Sequence, residues 1–355
     1  MPYSRPQTPG RQNPIQVGWI GLGAMGYPMA RNLANHRAAN LEQQPPLLVW
    51  NRSKEKSEKL LRELGDGKVA IAENIVDVAT KCDIVLTSLA SDEVARSVYK
   101  EIAAALQARS LHISAQPPTK NTIFVETSTV SSALVYGHRE LDLLISAIPH
   151  CHLVTGPVFG PPAMAEKATL IVLLSGDYRS KKEVAYMLVP AIGRRVIDLG
   201  GNVEKAPTFK LIGNSLILGS LELIAESYTI AEKSGVGQDL VYECIKELFP
   251  APLWLAYGDK MLHNKFDGSI GFSIDGGVKD ATHIRRLSTE HNAPMPAIDS
   301  AQHHLLTARA LHDAQARTGT TRFPVLDWSA LIVGTRVAAG LDGFDTAEVS
   351  SIHPH

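Results

Sequence analysis

An α/β N-terminal domain with a mostly parallel sheet, joined by one long helix to an all-α C-terminal domain, is the fold class the sequence predicts. Three observations carry it. Short apolar runs alternate with helical patterns from residue 16 to about residue 200, the order that builds a doubly wound parallel sheet. From Pro207 onward only helical periodicity remains. Between the two lies residues 207–235, PTFKLIGNSLILGSLELIAESYTIAEKSG, a single helical run with proline in its first turn and glycine at its stop. At 355 residues the chain exceeds one ordinary core, so two domains are expected: a tail over 1–15, the sheet domain over 16–200, the helical domain over 201–342 and a second tail over 343–355.

Composition narrows the function classes. A net charge of −1 and a pI near 6.9 give no basic footprint for nucleic acid or an anionic membrane surface. No window approaches ~20 uninterrupted apolar residues, so no membrane span is expected. Cys82, Cys151 and Cys244 are too few and too scattered for a disulfide framework. With no apolar leader in the first fifteen residues, this favours a reducing, cytoplasmic location.

The first strand, residues 16–20 (QVGWI), runs into Gly21-Leu22-Gly23-Ala24-Met25-Gly26 and then a helical pattern over 27–34. In that context the first glycine allows a tight turn, the second lets backbone approach a pyrophosphate and the third lets helix and strand pack closely. The phosphates then rest on a helix N-terminus, whose free N–H groups favour negative charge. The six residues Gly21 to Gly26 are therefore candidate cofactor contacts in a Rossmann-type domain. The polar stretch 36–46 lengthens the usual ~20-residue spacing to the ribose position and is read partly as a loop insertion. The second strand, 47–50, ends in Asn51-Arg52-Ser53-Lys54. An NAD site places an acid there; Asn51, Arg52 and Ser53 suit a 2′-phosphate instead, so NADPH is favoured over NADH.

Further strands are expected at 69–71, 84–89, 123–126, 152–154, 170–174 and 195–198, with a helix over 92–105 and a polar loop over 116–121. Ligands of such sheets bind at the carboxyl ends of strands. Thr87-Ser88-Leu89 and Ser128-Thr129 lie at such ends, where the hydroxyls serve either ligand binding or helix capping. The C-terminal helices are expected at 239–248, 253–261, 276–291, 298–316 and 328–340. The long helix is apolar nearly all round, which predicts burial. Lys210 and Asn214 stand one turn apart near its start, and an ammonium and an amide in such company point to use rather than solvation.

These stretches, in order, resemble the β-hydroxyacid dehydrogenase family, which includes 3-hydroxyisobutyrate dehydrogenase, glyoxylate/succinic semialdehyde reductases, 6-phosphogluconate dehydrogenase and imine reductases. The resemblance rests on VGWIGLGAMGYPMARNL, VWNRS, ETSTV, TGPVFG, FKLIGN, GGVKDA and DWSALI, spread over residues 16–335. It implies a homodimer formed through the helical domain and a small-molecule carbonyl or hydroxy-acid substrate. It makes Lys210 the general acid/base and Asn214 its companion, positions Ser128 at the substrate carboxylate and sets Lys279 near the nicotinamide. Thr129 and Gly160 join the substrate site; Ser88, Leu89, Thr129 and Lys279 join the cofactor site.

The chain also departs from the family. Where many members read D-A-P-V-S-G-G, this one reads Thr155-Gly156-Pro157-Val158-Phe159-Gly160-Pro161. Phe159 removes a hydroxyl and Pro161 removes a backbone donor from the anion site. A bulkier or less anionic carbonyl, or an imine, becomes an alternative substrate, while retention of Lys210 favours alcohol and carbonyl chemistry. A catalytically impaired NADP-binding dimeric scaffold is the alternative from another class. The pairs His150/His152 and His303/His304 lack a second ligand cluster, and no metal is assigned.

Overall fold

The computed structural model describes residues 14–40, 44–112, 121–129, 138–269 and 271–344. The expected tails fall largely outside these residues, as does most of the expected loop over 116–121. The chain divides into two compact units, Met1–Lys210 and Leu211–His355.

In the first unit β1 (Val17–Ile20) leads through the glycine turn into α1 (Gly26–Asn40), and β2 (Leu47–Trp50) leads into α2 (Lys54–Leu64). The alternation continues through β3 (Val69–Ile71), α3 (Ile75–Lys81), β4 (Ile84–Thr87), α4 (Asp92–His112), β5 (Thr122–Glu126), α5 (His138–Ser146) and β6 (Cys151–Thr155). A two-residue β7 (Val158–Phe159), a short α6 (Pro162–Glu166), β8 (Leu170–Gly176), α7 (Tyr178–Leu188) and β9 (Gly193–Asp198) complete it. The sheet order is β3-β2-β1-β4-β5-β6-β8-β7, with β9 on β8. Strands β3 to β6 pair in parallel. β8 runs antiparallel to β6 and β7 and parallel to β9.

Side-chain parity explains the strands. Val17, Trp19, Ile84, Leu86, Ile123 and Val125 feed one buried layer, while Ile20, Val85 and Phe124 feed the other. Both faces are covered, so the central strands are apolar at every position rather than alternating. Part of the stretch expected as a loop is helix: α1 continues to Asn40 before the described chain resumes at Gln44. Its last turn is anchored by buried Arg37, which donates to the carbonyl of Ile15.

The long helix α8 (Lys205–Ser234) spans the division. Its first turn belongs to the first unit, because Ala206 is fully buried and its N–H donates to Ser175 Oγ at 3.1 Å. The division between the two compact units falls within this helix, at Lys210/Leu211. The second unit continues with α9 (Gln238–Leu248), α10 (Pro252–Leu262), α11 (Ile274–Glu290) and α12 (Pro296–Thr318). The helix expected over 328–340 is a 3₁₀ turn, Trp328–Leu331, followed by α13 (Ile332–Ala338). Asp327, fully buried, accepts from the Ser329 N–H and hydroxyl and tightens that first turn.

Burial of α8 differs from the expectation. Leu211, Leu218, Leu221 and Ile224 enter the core of the second unit. Ile212, Leu216, Leu223 and Ile230 are 48, 72, 52 and 65% exposed. The last three recur every seventh residue and so form one stripe. α8 is also long and apolar enough to cross a membrane, with a mean hydropathy of 1.3 in its best window, half of which is buried within the protein. Single polar residues such as Asn214, Glu222 and Glu226 interrupt that run in the sequence without lowering its average much.

Candidate active site

The glycine turn is set by backbone contacts. Gly21 has φ +98°, and a Cβ there would lie 2.2 Å from the Ser88 carbonyl oxygen. A Cβ on Gly26 would lie 2.2 Å from the carbonyl oxygen of Gly21. At Gly23 a Cβ would meet no atom within 4 Å. The chain's own packing thus demands the first and third glycines, while the second opens a backbone approach beside the start of α1. That is the space a pyrophosphate requires, so these residues fit a dinucleotide.

Leu22 contributes backbone only, since its side chain is in the core; Ala24 is exposed and Met25 packs partly on the core. Asn51 braces the turn: its Oδ1 accepts from the Leu22 N–H at 2.8 Å and its amide donates to the Ser53 carbonyl at 2.9 Å. Arg52 and Ser53 are exposed at the end of β2, and the Ser53 side chain makes no capping bond at the start of α2.

Beside this turn the ends of β4 and β5 are tied together. The Ser88 N–H donates to the Ile20 carbonyl, and the Leu89 N–H donates to Ser128 Oγ at 2.6 Å. The Ser128 hydroxyl accepts from Leu89 and also bonds the Glu126 carboxyl, so it is held by two partners within the protein. Half-buried Thr129 follows it. Beneath lies Glu126, fully buried, whose Oε1 accepts from the Ser128 N–H at 2.6 Å and whose Oε2 is 2.7 Å from Thr87 Oγ1. The Tyr99 hydroxyl joins at 3.1 Å from Thr87 Oγ1. Burial pushes the Glu126 carboxyl above the usual carboxylate range, more than the bonds from Ser128 and Thr87 lower it.

Further along the same unit, the turn from β6 to α6 carries Phe159 and Gly160. Gly160 has φ +134°, a backbone conformation that favours glycine, and a Cβ there would lie 2.7 Å from Leu170 Cδ2. The Phe159 ring is edge-on to Phe209, with centroids 6.0 Å apart. Lys210 Nζ lies 4.7 Å from the Phe159 ring centroid, within cation–π range.

One turn beyond Lys210, in the second unit, Asn214 is 4% exposed and donates from Nδ2 to Asp280 Oδ2 at 2.6 Å. Lys279 Nζ pairs with the other oxygen of Asp280 at 3.2 Å. A single buried carboxylate therefore joins two of the sequence-derived candidates. Asp280 escapes assignment from sequence, as do Glu126 and Phe209. The one signal for Asp280 is an acid on the apolar face of α11, in line with Gly277, Ala281 and Ile284. The histidines considered as metal ligands point elsewhere: His152 Nδ1 is 2.8 Å from Ser180 Oγ, and His304 Nδ1 is 2.7 Å from Glu222 Oε1.

A mostly parallel sheet with a glycine turn at its first strand end and strand-end hydroxyls beside it defines a dinucleotide-binding domain of the Rossmann class. Comparison with known proteins narrows this. The NAD binding domain of 6-phosphogluconate dehydrogenase matches residues 16–201. An uncharacterised oxidoreductase, YfjR, of Bacillus subtilis is 30% identical over 321 residues, covering 90% of this chain and 99% of its own. Glyoxylate/succinic semialdehyde reductase 1 of Arabidopsis thaliana is 25% identical over 84% of this chain and 93% of its own. Among solved structures, the 3-hydroxyisobutyrate dehydrogenase of Mycobacterium tuberculosis with L-serine superposes with a TM-score of 0.70 at 22% identity, over 90% of this chain and 98% of that one. The chain belongs to the β-hydroxyacid dehydrogenase family. It is an NAD(P)-dependent oxidoreductase of the kind that acts on CH–OH groups.

Proposed function

We propose that the protein is an NADP-dependent reductase interconverting an aldehyde or ketone with its alcohol or hydroxy acid, with Lys210 as general acid/base. The observation that carries this is the placement of Lys210 and Asn214 one turn apart on α8, with the Asn214 amide held by buried Asp280. Gly21, Leu22, Gly23, Ala24, Met25 and Gly26 would hold the dinucleotide phosphates. Arg52 and Ser53 would receive a 2′-phosphate, the basis for NADPH over NADH. Ser88, Leu89 and Thr129 would flank the cofactor, with Lys279 serving cofactor and substrate. When bound, the nicotinamide supplies or accepts the hydride.

In reduction the carbonyl carbon gains that hydride, the π pair moves to oxygen, and Lys210 Nζ gives the proton; oxidation runs the same path backwards. One Asn214 amide hydrogen is committed to Asp280, which fixes the other toward the developing alkoxide. Ser128 would line the substrate pocket, its hydroxyl held in place by Leu89 and Glu126. Lys210→Met is expected to cut turnover about 10²–10⁴-fold while leaving NADPH affinity unchanged, measured by steady-state kinetics and fluorescence titration. Unimpaired turnover in that variant would sink the reading. Imine reduction is the second reading, favoured by Phe159 beside Lys210, and amine-dependent NADPH oxidation without turnover of the carbonyl alone would select it.

The exposed stripe Leu216, Leu223 and Ile230 supports a homodimer, since one helix face repeated by symmetry covers itself. Leu223→Asp should convert the dimer to monomer in sedimentation or light scattering; a wild type already monomeric at micromolar concentration would refute it. None of Cys82, Cys151 and Cys244 is in a disulfide, which suits the cytoplasmic location we propose.

A further inference from the structure

The chemistry around Lys210 bears on which substrates the site accepts. Within the turn from β6 to α6, Pro157, Pro161 and Pro162 have no N–H at all. The Gly156 N–H is spent on the Glu126 carbonyl at 2.7 Å, and the N–H groups of Met164 and Ala165 turn back to the Pro161 carbonyl. The prolines and these internal bonds leave the turn N–H groups at Gly160 and Ala163, and so fewer backbone donors than a glycine-built anion site has. In their place stand two aromatic rings. Phe159 is half-buried and Phe209 is 37% exposed, and the face of Phe159 lies under the Lys210 ammonium. The ammonium thus has an aromatic wall on one side. With the ammonium committed to the carbonyl oxygen, a carboxylate placed against the ring would lose water to a phenyl face and regain few hydrogen bonds from this turn, which is costly.

We infer that Phe159 is a specificity-determining residue that selects aldehydes and ketones bearing an uncharged, apolar substituent over carboxylate-bearing ones. This rests on the reading of Lys210 as the acid at the carbonyl oxygen. The phenyl ring supplies the contact surface for the substituent, and the ammonium above it remains directed to the carbonyl oxygen.

The test uses matched pairs differing only in the charged group. Calorimetry on the NADP-loaded protein compares butyramide with butyrate, which needs no turnover. Steady-state kinetics compares butanal with succinic semialdehyde. Wild type should favour the uncharged member of each pair about tenfold or more, the scale of one hydrogen-bonded charge. Phe159→Ser restores a donor and removes the wall, and should shift both ratios toward the carboxylate about tenfold. Phe159→Leu keeps the wall and should keep the preference. A wild-type preference for butyrate and succinic semialdehyde, or ratios unmoved in Phe159→Ser, would overturn the inference. Retained butyramide preference with no turnover of either aldehyde would uphold the selectivity and refute the reductase reading instead.

Discussion

Two strand-end turns of the first unit do opposite things with the same kind of position. The turn after β1 is built from glycine and offers backbone. It holds Gly21 at φ +98° against the Ser88 carbonyl and leaves Gly23 open. The turn after β6 is built largely from proline and aromatic residues, presents few backbone N–H groups and offers a ring face to Lys210. The first geometry suits an anion whose shape is fixed, the second a substituent whose chemistry varies. What differs is the source of the constraint: local backbone in one case, a side-chain contact between residues 159 and 210 in the other.

The sharpest way to break this contrast is at the glycines. Gly21→Ala and Gly26→Ala each drive a methyl into a backbone oxygen at 2.2 Å, which nothing nearby can relieve. Both should fail to fold or melt ~10 °C or more lower, and should lose cofactor binding with the turn. Gly23→Ala should melt within about 2 °C of wild type yet bind NADPH about tenfold or more weakly, because its methyl occupies only the approach path. Thermal melts beside fluorescence titrations separate the two. Equal destabilisation by all three, or tight NADPH binding in Gly23→Ala, would mean the open position is not a phosphate cradle.

The same difference explains what is legible in the sequence. The glycine spacing, the alternation of strands and helices, and Lys210 with Asn214 are local patterns, so the order of residues alone reveals them. Leu22 stands out as a position in the glycine motif, but its role as core packing does not. The role of Asn51 as a brace depends on a bond to Leu22 across 29 residues. The sense reversal at β8, the aromatic contact on Lys210 and the carboxylate of Asp280 arise only when distant segments meet. The exposed stripe of α8 is hidden for a related reason: apolar residues on every face predict full burial, and the sequence carries no mark of which face lies within the chain.

The second unit extends the comparison to a site held wholly by side chains. Asp280→Asn keeps the volume but removes the charge that holds the Asn214 amide and faces Lys279. If Asp280 is a positioning residue, kcat should fall about tenfold while KM for NADPH stays within about twofold. Asp280→Glu, with its longer stem, should restore little. A loss confined to thermal stability, with kcat intact, would reduce Asp280 to a structural anchor.

The smallest effect is expected at Glu126, which serves both turns. Its backbone carbonyl accepts from Gly156, and its carboxyl carries Ser128 and Thr87, next to the Ser88 carbonyl that presses on Gly21. Burial raises its folded pKa above the ordinary value of 4.5, so the native state holds this proton more tightly than the unfolded chain does. The sign follows from linkage: where the native state binds the extra proton, stability falls as pH rises. The contribution of the neutral acid is fully present below pH 4.5 and is lost as pH climbs through the raised folded value. Protonated, Glu126 donates to Thr87 Oγ1, whose own proton can pass to the Val125 carbonyl at 3.3 Å. Glu126→Gln keeps a donor on one side and an acceptor on the other at every pH. Its melting temperature relative to wild type should therefore rise between pH 4.5 and ~8, by calorimetry at fixed ionic strength. Parallel curves for the two proteins across that range would show that the carboxyl titrates as freely in the fold as in the unfolded chain, and that the polar bonds around it rather than its burial set its charge.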